Sequence, residues 1–335
     1  MEEHRVRIID IAEELGLSTA TISNVLHGKT KKVSDETVKR VQAALEDRQY
    51  IPSMAGILLA QNASKMIGVV LNDHEKYEGH CLEDAFIASS LNHLSTEIER
   101  SGMFMMVKKT TNPVEIIKFA SMWNMEGLVL IGFCDQDYMY LRNHLRIPFV
   151  VYDGYCENPD RIFNITIDNY DGGYQVGKYF KQLGHKHALC IADNDVCVDR
   201  ERYEGFCAGF GNTEHMIVPM KKTERHSFYR AHIAAFRHAT AVFAVSDYYA
   251  VDLIQFLTVE GFSIPEDISV AGFDDTPLCG QIAPLLTSVR QDGAHRAEIA
   301  IRKIFELKEK NDTRSTIRLP VTLVARESTG RPNTE

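Results

Sequence analysis

The chain has 335 residues, 44% of them hydrophobic and 25% charged, with a formal net charge of −9. This is more chain than one hydrophobic core usually supports, at ordinary globular usage, so two or three packed domains are expected and a disordered or fibrous chain is excluded. No apolar run approaches the roughly 20 residues that span a bilayer, which argues against a membrane role.

The start Met1-Glu2-Glu3-His4-Arg5 lacks the basic flank and apolar core of a secretory leader, so a cytoplasmic location is expected. Seven scattered cysteines (Cys81, Cys134, Cys156, Cys190, Cys197, Cys207 and Cys279) form no CxxC pair. They suggest neither a disulfide framework nor a zinc site and are expected to be mostly buried small hydrophobes. The net charge steers the molecule as a whole away from nucleic acid, so any DNA contact has to be local.

From Ile8 the apolar residues Ile8, Ile11, Ala12 and Leu15 recur at helical spacing, and Gly16 can take the left-handed conformation that ends a helix. Ser18 is placed to cap a second helix with Ile22, Val25 and Leu26 on its inner face, leaving Thr19, Ala20, Ser23 and Asn24 mostly outward. Two short helices joined by so tight a turn form the unit whose second helix enters the DNA major groove. In a third helix Ser34 is the cap, Asp35 and Glu36 complement the positive end, and Val38, Val41, Ala44 and Leu45 form the buried stripe. Residues 1–64 hold eight Lys/Arg against nine Asp/Glu, with Lys29, Lys31 and Lys32 the one concentrated cluster, so binding has to depend on where charges face. The sequence thus predicts an all-α helix-turn-helix headpiece over 1–52 and a hinge over 53–65, an amphipathic connector with little helical stability of its own.

Beyond it, apolar runs alternate with helical stretches: IGVVL at 67, FMMV at 104, GLVLI at 127, FVVY at 149, ALCIA at 188, AVFAV at 241 and ISVAGF at 268. Runs too apolar for one-sided sheets imply parallel strands covered by helices on both faces. Their number predicts an α/β core of two doubly wound parallel-sheet subdomains over 66–335, with a cleft between them. Ligands bind beyond the carboxyl ends of such strands, and polar residues gather there: Asn72 and Asp73, Asp153, Ser246 and Asp247, Asp274 and Asp275. Carboxylates with Arg and Asn suit polyhydroxyl ligands, because one carboxylate accepts from two adjacent hydroxyls. Phe133, Tyr155 or Tyr248 supplies a stacking face. A single Asp after a strand more often caps the next helix, the role assigned to Asp247 and Asp275. The chain has no GxSxG, HExxH or GxxxxGK[ST], and no GxGxxG after a strand. His185-Lys186-His187 follows a predicted helix end, so no catalysis, cofactor or metal is expected.

The segment IIDIAEELGLSTATISNVLHG, followed by VSDETVKRVQAAL and YIP, closely resembles the headpiece of LacI/GalR bacterial regulators. The resemblance runs nearly end to end, through IGVVLND, ITIDNYDGG, LGH, RYEGF, VSDYYA, IPEDISVAGFDDTPL, LTSVRQD and VARESTG, in the family's order and spacing. It implies a ligand-responsive, sequence-specific transcriptional regulator, expected to repress a carbohydrate-related operon. A periplasmic-binding-protein-like core would take a sugar or sugar derivative and change affinity for a pseudo-palindromic double-stranded operator through the hinge. The implied subdomains are about 66–163 with 293–320, and about 164–290 with 321–330. A homodimer is implied, since the chain stops soon after VARESTG without the leucine-heptad tail of tetrameric relatives. A solute-binding protein of a transport or sensing system shares the core and is the alternative; the headpiece and the missing leader oppose it.

On the second helix, Thr19, Ala20 and Asn24 are the expected readers of base edges, Ala20 by apolar contact and Asn24 by pairing its amide with adenine. Family positions assign phosphate contacts to Ser18, Thr21, Ser23, His27, Ser34 and Tyr50, with Lys29, Lys31 and Lys32 as further candidates. With so few ionic contacts, the salt dependence of binding is expected to be modest. Leu58 keeps the family's spacing from Ala55, and Leu59 its spacing to Ile67; one of them is expected to wedge into the minor groove, Leu58 by preference. Arg202 matches a ligand-binding arginine of the family, giving the expected effector set Asn72, Asp73, Phe133, Asp153, Arg202, Ser246 and Asp274. The sequence departs from the family at HGKTKKV, longer by about one residue and more basic, at Gly56 and Asn24, where Arg is common, and at NDHEKYEGHC. The last departure suggests an altered pocket.

Overall fold

The computed structural model describes residues 6–51, 64–156, 162–309 and 315–333. The chain divides into two compact units, Met1–Ser64 and Lys65–Glu335. Leu58, Leu59 and nearly all of the expected hinge lie outside the described residues.

The first unit contains α1 (Ile8–Leu15), α2 (Thr19–Leu26) and α3 (Asp35–Asp47). Gly16, at φ 65°, closes α1, and the Leu17 amide donates back to the Ala12 carbonyl at 2.9 Å. Ser18 and Ser34 cap α2 and α3 by accepting from the Thr21 and Thr37 amides, each satisfying a donor that the first helical turn leaves open. Ile11, Ala12, Ile22, Val25, Val41 and Ala44 are buried together, with Leu15, Val38, Leu45 and Tyr50 packed around them. This small core draws on all three helices and holds them together.

The second unit alternates strands and helices: β1 (Met66–Leu71), α4 (Ala85–Arg100), β2 (Phe104–Lys109), α5 (Pro113–Met122), β3 (Gly127–Ile131), α6 (Asp135–His144), β4 (Phe149–Tyr152), β5 (Asn164–Ile167), α7 (Asn169–Leu183), β6 (Ala188–Ala192), α8 (Cys197–Phe210), β7 (Glu214–Ile217), α9 (Lys222–Ala231), α10 (Ile233–His238), β8 (Ala241–Ala244), α11 (Asp247–Val259), β9 (Ser269–Asp274), β10 (Thr287–Arg290), α12 (Gly293–Lys308), β11 (Thr316–Leu319) and β12 (Thr322–Val324). One sheet runs β11-β5-β4-β3-β1-β2 and the other β12-β10-β9-β8-β6-β7. Every pairing is parallel except β10 with β12. Each sheet therefore reverses its winding beside its first strand, β1 in one lobe and β6 in the other, and opens a crevice at its carboxyl edge. The apolar runs form buried strands such as β1 and β3, as two-sided coverage requires, except FMMV, whose strand β2 lies at the sheet edge and is half-buried to exposed along its length.

Five strands had no such signature, β5, β7, β10, β11 and β12. Of these β5 moves a boundary: it pairs with β4 and β11, so the first passage between lobes falls after Ile167 and not at 163/164. The chain crosses again between Arg290 and Gly293 and between Leu319 and Thr322. The cysteines also differ from expectation. Cys81, Cys190 and Cys279 are buried, but Cys156, Cys197 and Cys207 are half-buried and Cys134 is exposed.

Helices α7 and α8 meet backbone to backbone because glycines face each other. A Cβ on Gly173 would lie 1.9 Å from the Arg202 carbonyl oxygen, and one on Gly205 1.9 Å from that of Tyr170. Gly205→Ala is therefore expected to force α8 away, at a cost of about 3 kcal/mol, the upper end for overpacking a close-packed contact, read as a fall in the urea midpoint. An unchanged midpoint would show that the helices separate freely.

Candidate DNA interface and effector site

On α2, Thr19, Ala20 and Asn24 are exposed, whereas Thr21 and Ser23 are half-buried. Ser18 Oγ and Thr21 Oγ1 share a 2.9 Å hydrogen bond, which orders two hydroxyls at the positive end of the helix. Ser34 and Thr37 repeat the arrangement on α3 at 2.8 Å. Lys29, Lys31 and Lys32 are exposed, His27 closes α2, and Tyr50 is half-buried against the headpiece core.

In the second unit a cavity of about 470 Å³ opens between the carboxyl ends of the two sheets. It collects Asn72, Phe133, Asp153, Ser246 and Asp274 from five separate strand ends, and Arg202 from helix α8. Arg202 is fixed on three sides: Nε donates to Asn169 Oδ1 at 2.8 Å and Nη1 to the Val245 carbonyl at 2.7 Å, while its guanidinium carbon stands 3.8 Å from the Phe273 ring centre. Asp274 Oδ1 accepts from Gln291 Nε2 at 2.5 Å and lies 3.8 Å from Arg202 Nη1. Burial pushes the Asp274 carboxyl well above the ordinary range, against the pull of Arg202. Asn72 donates to the Gly132 carbonyl, tying the ends of β1 and β3 together. Asp153 Oδ1 and Ser246 Oγ are buried and make no hydrogen bond within the chain, and buried polar atoms of this kind call for a partner.

Three expectations fail. Asp73 is not among the cavity residues; its carboxylate pairs with Lys109 on neighbouring β2 at 3.2 Å. Asp247 does not cap its helix: it accepts from the Thr276 amide, Ser288 Oγ and Cys279 Sγ, pinning α11 to the loop after β9 and to β10. Asp275 likewise accepts from Arg290 and Arg326. Of the aromatic candidates, Phe133 and Tyr155 line the cavity, while Tyr248 lies beside it and donates to the Lys76 carbonyl. His185 is a core residue, held between Thr240 Oγ1 and the Gly330 carbonyl. Among the described residues no group of three His, Cys, Asp or Glu is placed to hold a metal, and no helix is long and apolar enough to cross a membrane.

The cavity also holds residues that sequence reasoning missed, chiefly Lys76, Asp193, Asn194, Asp199 and Tyr249. Asp193 follows ALCIA directly, so the strand-end rule that found the others applies equally to it. Asn194 Nδ2 donates to Asp193 at 2.5 Å and to Asp199 at 2.7 Å, and Tyr249 Oη donates to Asp193 at 2.6 Å. Burial, then the neighbouring Asp193, pushes the Asp199 carboxyl up to about 7. An acid that holds its proton in the fold but loses it near 3.8 when unfolded makes stability fall as pH rises from about 4 to about 7. Asp199→Asn is thus expected to flatten that decline, with denaturation midpoints at pH 5 and pH 8 drawing together. An unaltered difference would place the ionisation elsewhere.

A helix-turn-helix headpiece on the same chain as a two-lobed receptor with a polar cavity defines a ligand-responsive transcriptional regulator. Known proteins agree. Residues 7–53 match the bacterial regulatory proteins of the lacI family, and residues 178–329 a periplasmic binding protein-like domain. The chain is 28% identical over 340 residues to the HTH-type transcriptional repressor PurR of Mannheimia succiniciproducens, covering 96% of this chain and 98% of the relative. It is 27% identical over 350 residues to the HTH-type transcriptional regulator DegA of Bacillus subtilis, covering 98% and 100%. The lac repressor dimer bound to operator and an anti-inducer superposes with a TM-score of 0.83 at 22% identity, over 98% of this chain and all of that one. A complex of the transcriptional regulator CelR with cellobiose gives 0.69 at 20% identity, over 97% and 100%. The chain belongs to the LacI/GalR family of bacterial transcriptional regulators.

Proposed function

We propose that the protein represses transcription by binding a pseudo-palindromic operator as a homodimer, and that a neutral or amino-bearing polyhydroxyl compound of the sugar class in the 470 Å³ cavity alters that binding. The observation that carries the effector class is the convergence of Asn72, Asp153, Arg202, Ser246 and Asp274 on one cavity in which two buried polar atoms, on Asp153 and Ser246, make no hydrogen bond. Hydroxyls donate and accept at such atoms, and Phe133 and Tyr155 offer apolar faces to a sugar ring. The repressor names of the relatives support the direction of control, and CelR, crystallised with cellobiose, supports the ligand class.

Homodimerisation is supported by apolar side chains at one border of the first sheet. Phe104 on edge strand β2 is 56% exposed, and Met122 at the end of α5 is 78% exposed, with Val107, Val114 and Trp123 nearby in sequence and also exposed. Such a border needs covering. The assigned roles are base contact for Thr19, Ala20 and Asn24, and phosphate contact for the hydroxyls and lysines around them. The protein is read as a cytoplasmic, non-catalytic regulator; as a transport receptor it would have no use for the headpiece.

Thermal denaturation of the purified chain with panels of sugars and of nucleobases tests the effector class. A sugar at about 100 times its Kd adds roughly 2.7 kcal/mol of stability, a rise in Tm of about 5 °C for a chain of this size. A shift with nucleobases alone would overturn the ligand class and leave the DNA-binding role standing.

A further inference from the structure

The effector cavity has a charge balance of its own. Five aspartates line it, Asp137, Asp153, Asp193, Asp199 and Asp274, against two lining permanent cations, Lys76 and Arg202, with buried Arg296 paired to Asp153 from behind. Arg202 is already committed to Asn169, the Val245 carbonyl and the Phe273 ring. Burial, then Lys76, holds His74 below the ordinary histidine value, so it adds little positive charge near neutrality. The carboxylates are also grouped. Asn194 bridges Asp193 and Asp199, and Tyr249 fixes the second oxygen of Asp193, which builds a rigid acidic pair on the second lobe.

Lys76 faces this pair from the other lobe. It lies in the short helical turn Glu75–Tyr77 after β1, and two contacts hold that turn across the cleft: Tyr248 Oη donates to the Lys76 carbonyl at 3.2 Å, and Lys221 Nζ lies 3.6 Å from Glu75 Oε1. Burial works against the Lys76 ammonium, but Tyr77, Asp193, Asp199 and Asp84 outweigh it and raise its pKa above the ordinary lysine value. Independently of the pair, a buried carboxylate oxygen of the cavity makes no hydrogen bond. The Asp153 side chain is only 9% exposed, and its Oδ1 has no hydrogen bond, Arg296 standing at 3.4 Å as an ion pair without one.

We propose that Asp193 and Asp199 form a subsite for a cationic group of the effector, so that the cavity takes an amino-polyol in preference to a neutral one and excludes phosphate esters. In the unliganded protein the Lys76 ammonium serves as the counter-ion of that subsite, and the effector's ammonium takes its place, releasing the turn that straps the two lobes together. Anionic ligands meet the ionised members of this group, Asp193 foremost, in a partly desolvated space, where like charges repel far more strongly than in water. The proposal rests on the polyhydroxyl effector class.

Calorimetry on the full chain at pH 8 with matched triples tests it: several pentoses and hexoses, their amino-deoxy analogues and their phosphate esters. Within each triple that binds, the amine is expected to bind at least tenfold tighter than the parent sugar, and the ester not at all. Asp199→Asn is expected to bring amine and parent within threefold of each other. Lys76→Met is expected to tighten the amine further by removing its competitor. For the wild type the amine's advantage is expected to shrink between pH 8 and pH 6 as Asp199 takes up its proton. Equal binding of amine and parent, an advantage untouched by Asp199→Asn, or tightest binding by the ester would overturn the cationic subsite while leaving the polyhydroxyl class intact. Failure of every triple, with DNA binding retained, would overturn both.

Discussion

Asp274→Ala is expected to abolish the response to effector while operator affinity stays within about twofold, because the two units bind their ligands through separate residues. The Asp274 side chain is only 10% exposed at the end of β9, and one of its oxygens is already used by Gln291. A hydrogen bond contributes about 0.5 to 1.5 kcal/mol net, so losing two effector hydroxyls at this carboxyl weakens binding by about 1 to 3 kcal/mol, roughly 5- to 150-fold. Folding should not suffer. Burial raises the Asp274 pKa in the fold, so burying this carboxyl opposes folding at any pH above its ordinary carboxylate value, and alanine removes that cost. Arg202→Ala should abolish the response equally but also lower Tm, since Asn169 and the Val245 carbonyl lose a buried donor. Fluorescence anisotropy on operator DNA, titrated with the sugar that most stabilises the wild type, separates the cases. Loss of DNA binding by folded Asp274→Ala would contradict a role confined to the effector.

Asn24→Ala is expected to cost about 2 kcal/mol of operator affinity per half-site, roughly 30-fold each, with non-specific DNA affinity unchanged. Asn24 stands exposed on α2, and its backbone carbonyl already accepts from the Lys29 amide at 2.7 Å. That bond fixes the start of the lysine loop and does not engage the side-chain amide. An uncharged amide releases no counterions when it binds, so its loss should fall on sequence discrimination and not on the salt slope. Competition with operators changed one base pair at a time would find the variant indifferent at one position of each half-site. An equal loss on specific and random DNA would make Asn24 a positioning residue.

The headpiece is legible in sequence because its determinants are local: helical spacing, a left-handed glycine and two serine caps all act within a few residues. The long apolar strands are legible for the same reason. Strands β5, β7, β10, β11 and β12 are only three or four residues long, interspersed with Thr, Arg, His and Glu, and they are defined by distant partners. Thr316 of β11, for example, pairs with Asn164 of β5. The site divides similarly. Strand-end carboxylates converge because doubly wound sheets gather them, whatever the intervening sequence. Asp73, Asp247 and Asp275 escape that rule because Lys109, Ser288, Arg290 and Arg326 capture them from elsewhere in the chain. Lys76 sits in the stretch where the sequence leaves the family pattern, so its approach to Asp193 and Asp199 is visible only in three dimensions.

The central claim is that one chain couples sequence-specific DNA binding to occupancy of the cavity. Anisotropy of a labelled fragment from the promoter next to its own gene, measured at about 150 mM salt with and without a sugar that stabilises the protein, tests it most directly. The expected result is binding at least about 1000-fold tighter than to scrambled DNA, with the apparent Kd moved at least about fivefold by the sugar. Equal affinity for both DNAs, or an unmoved Kd at saturating sugar, would contradict it.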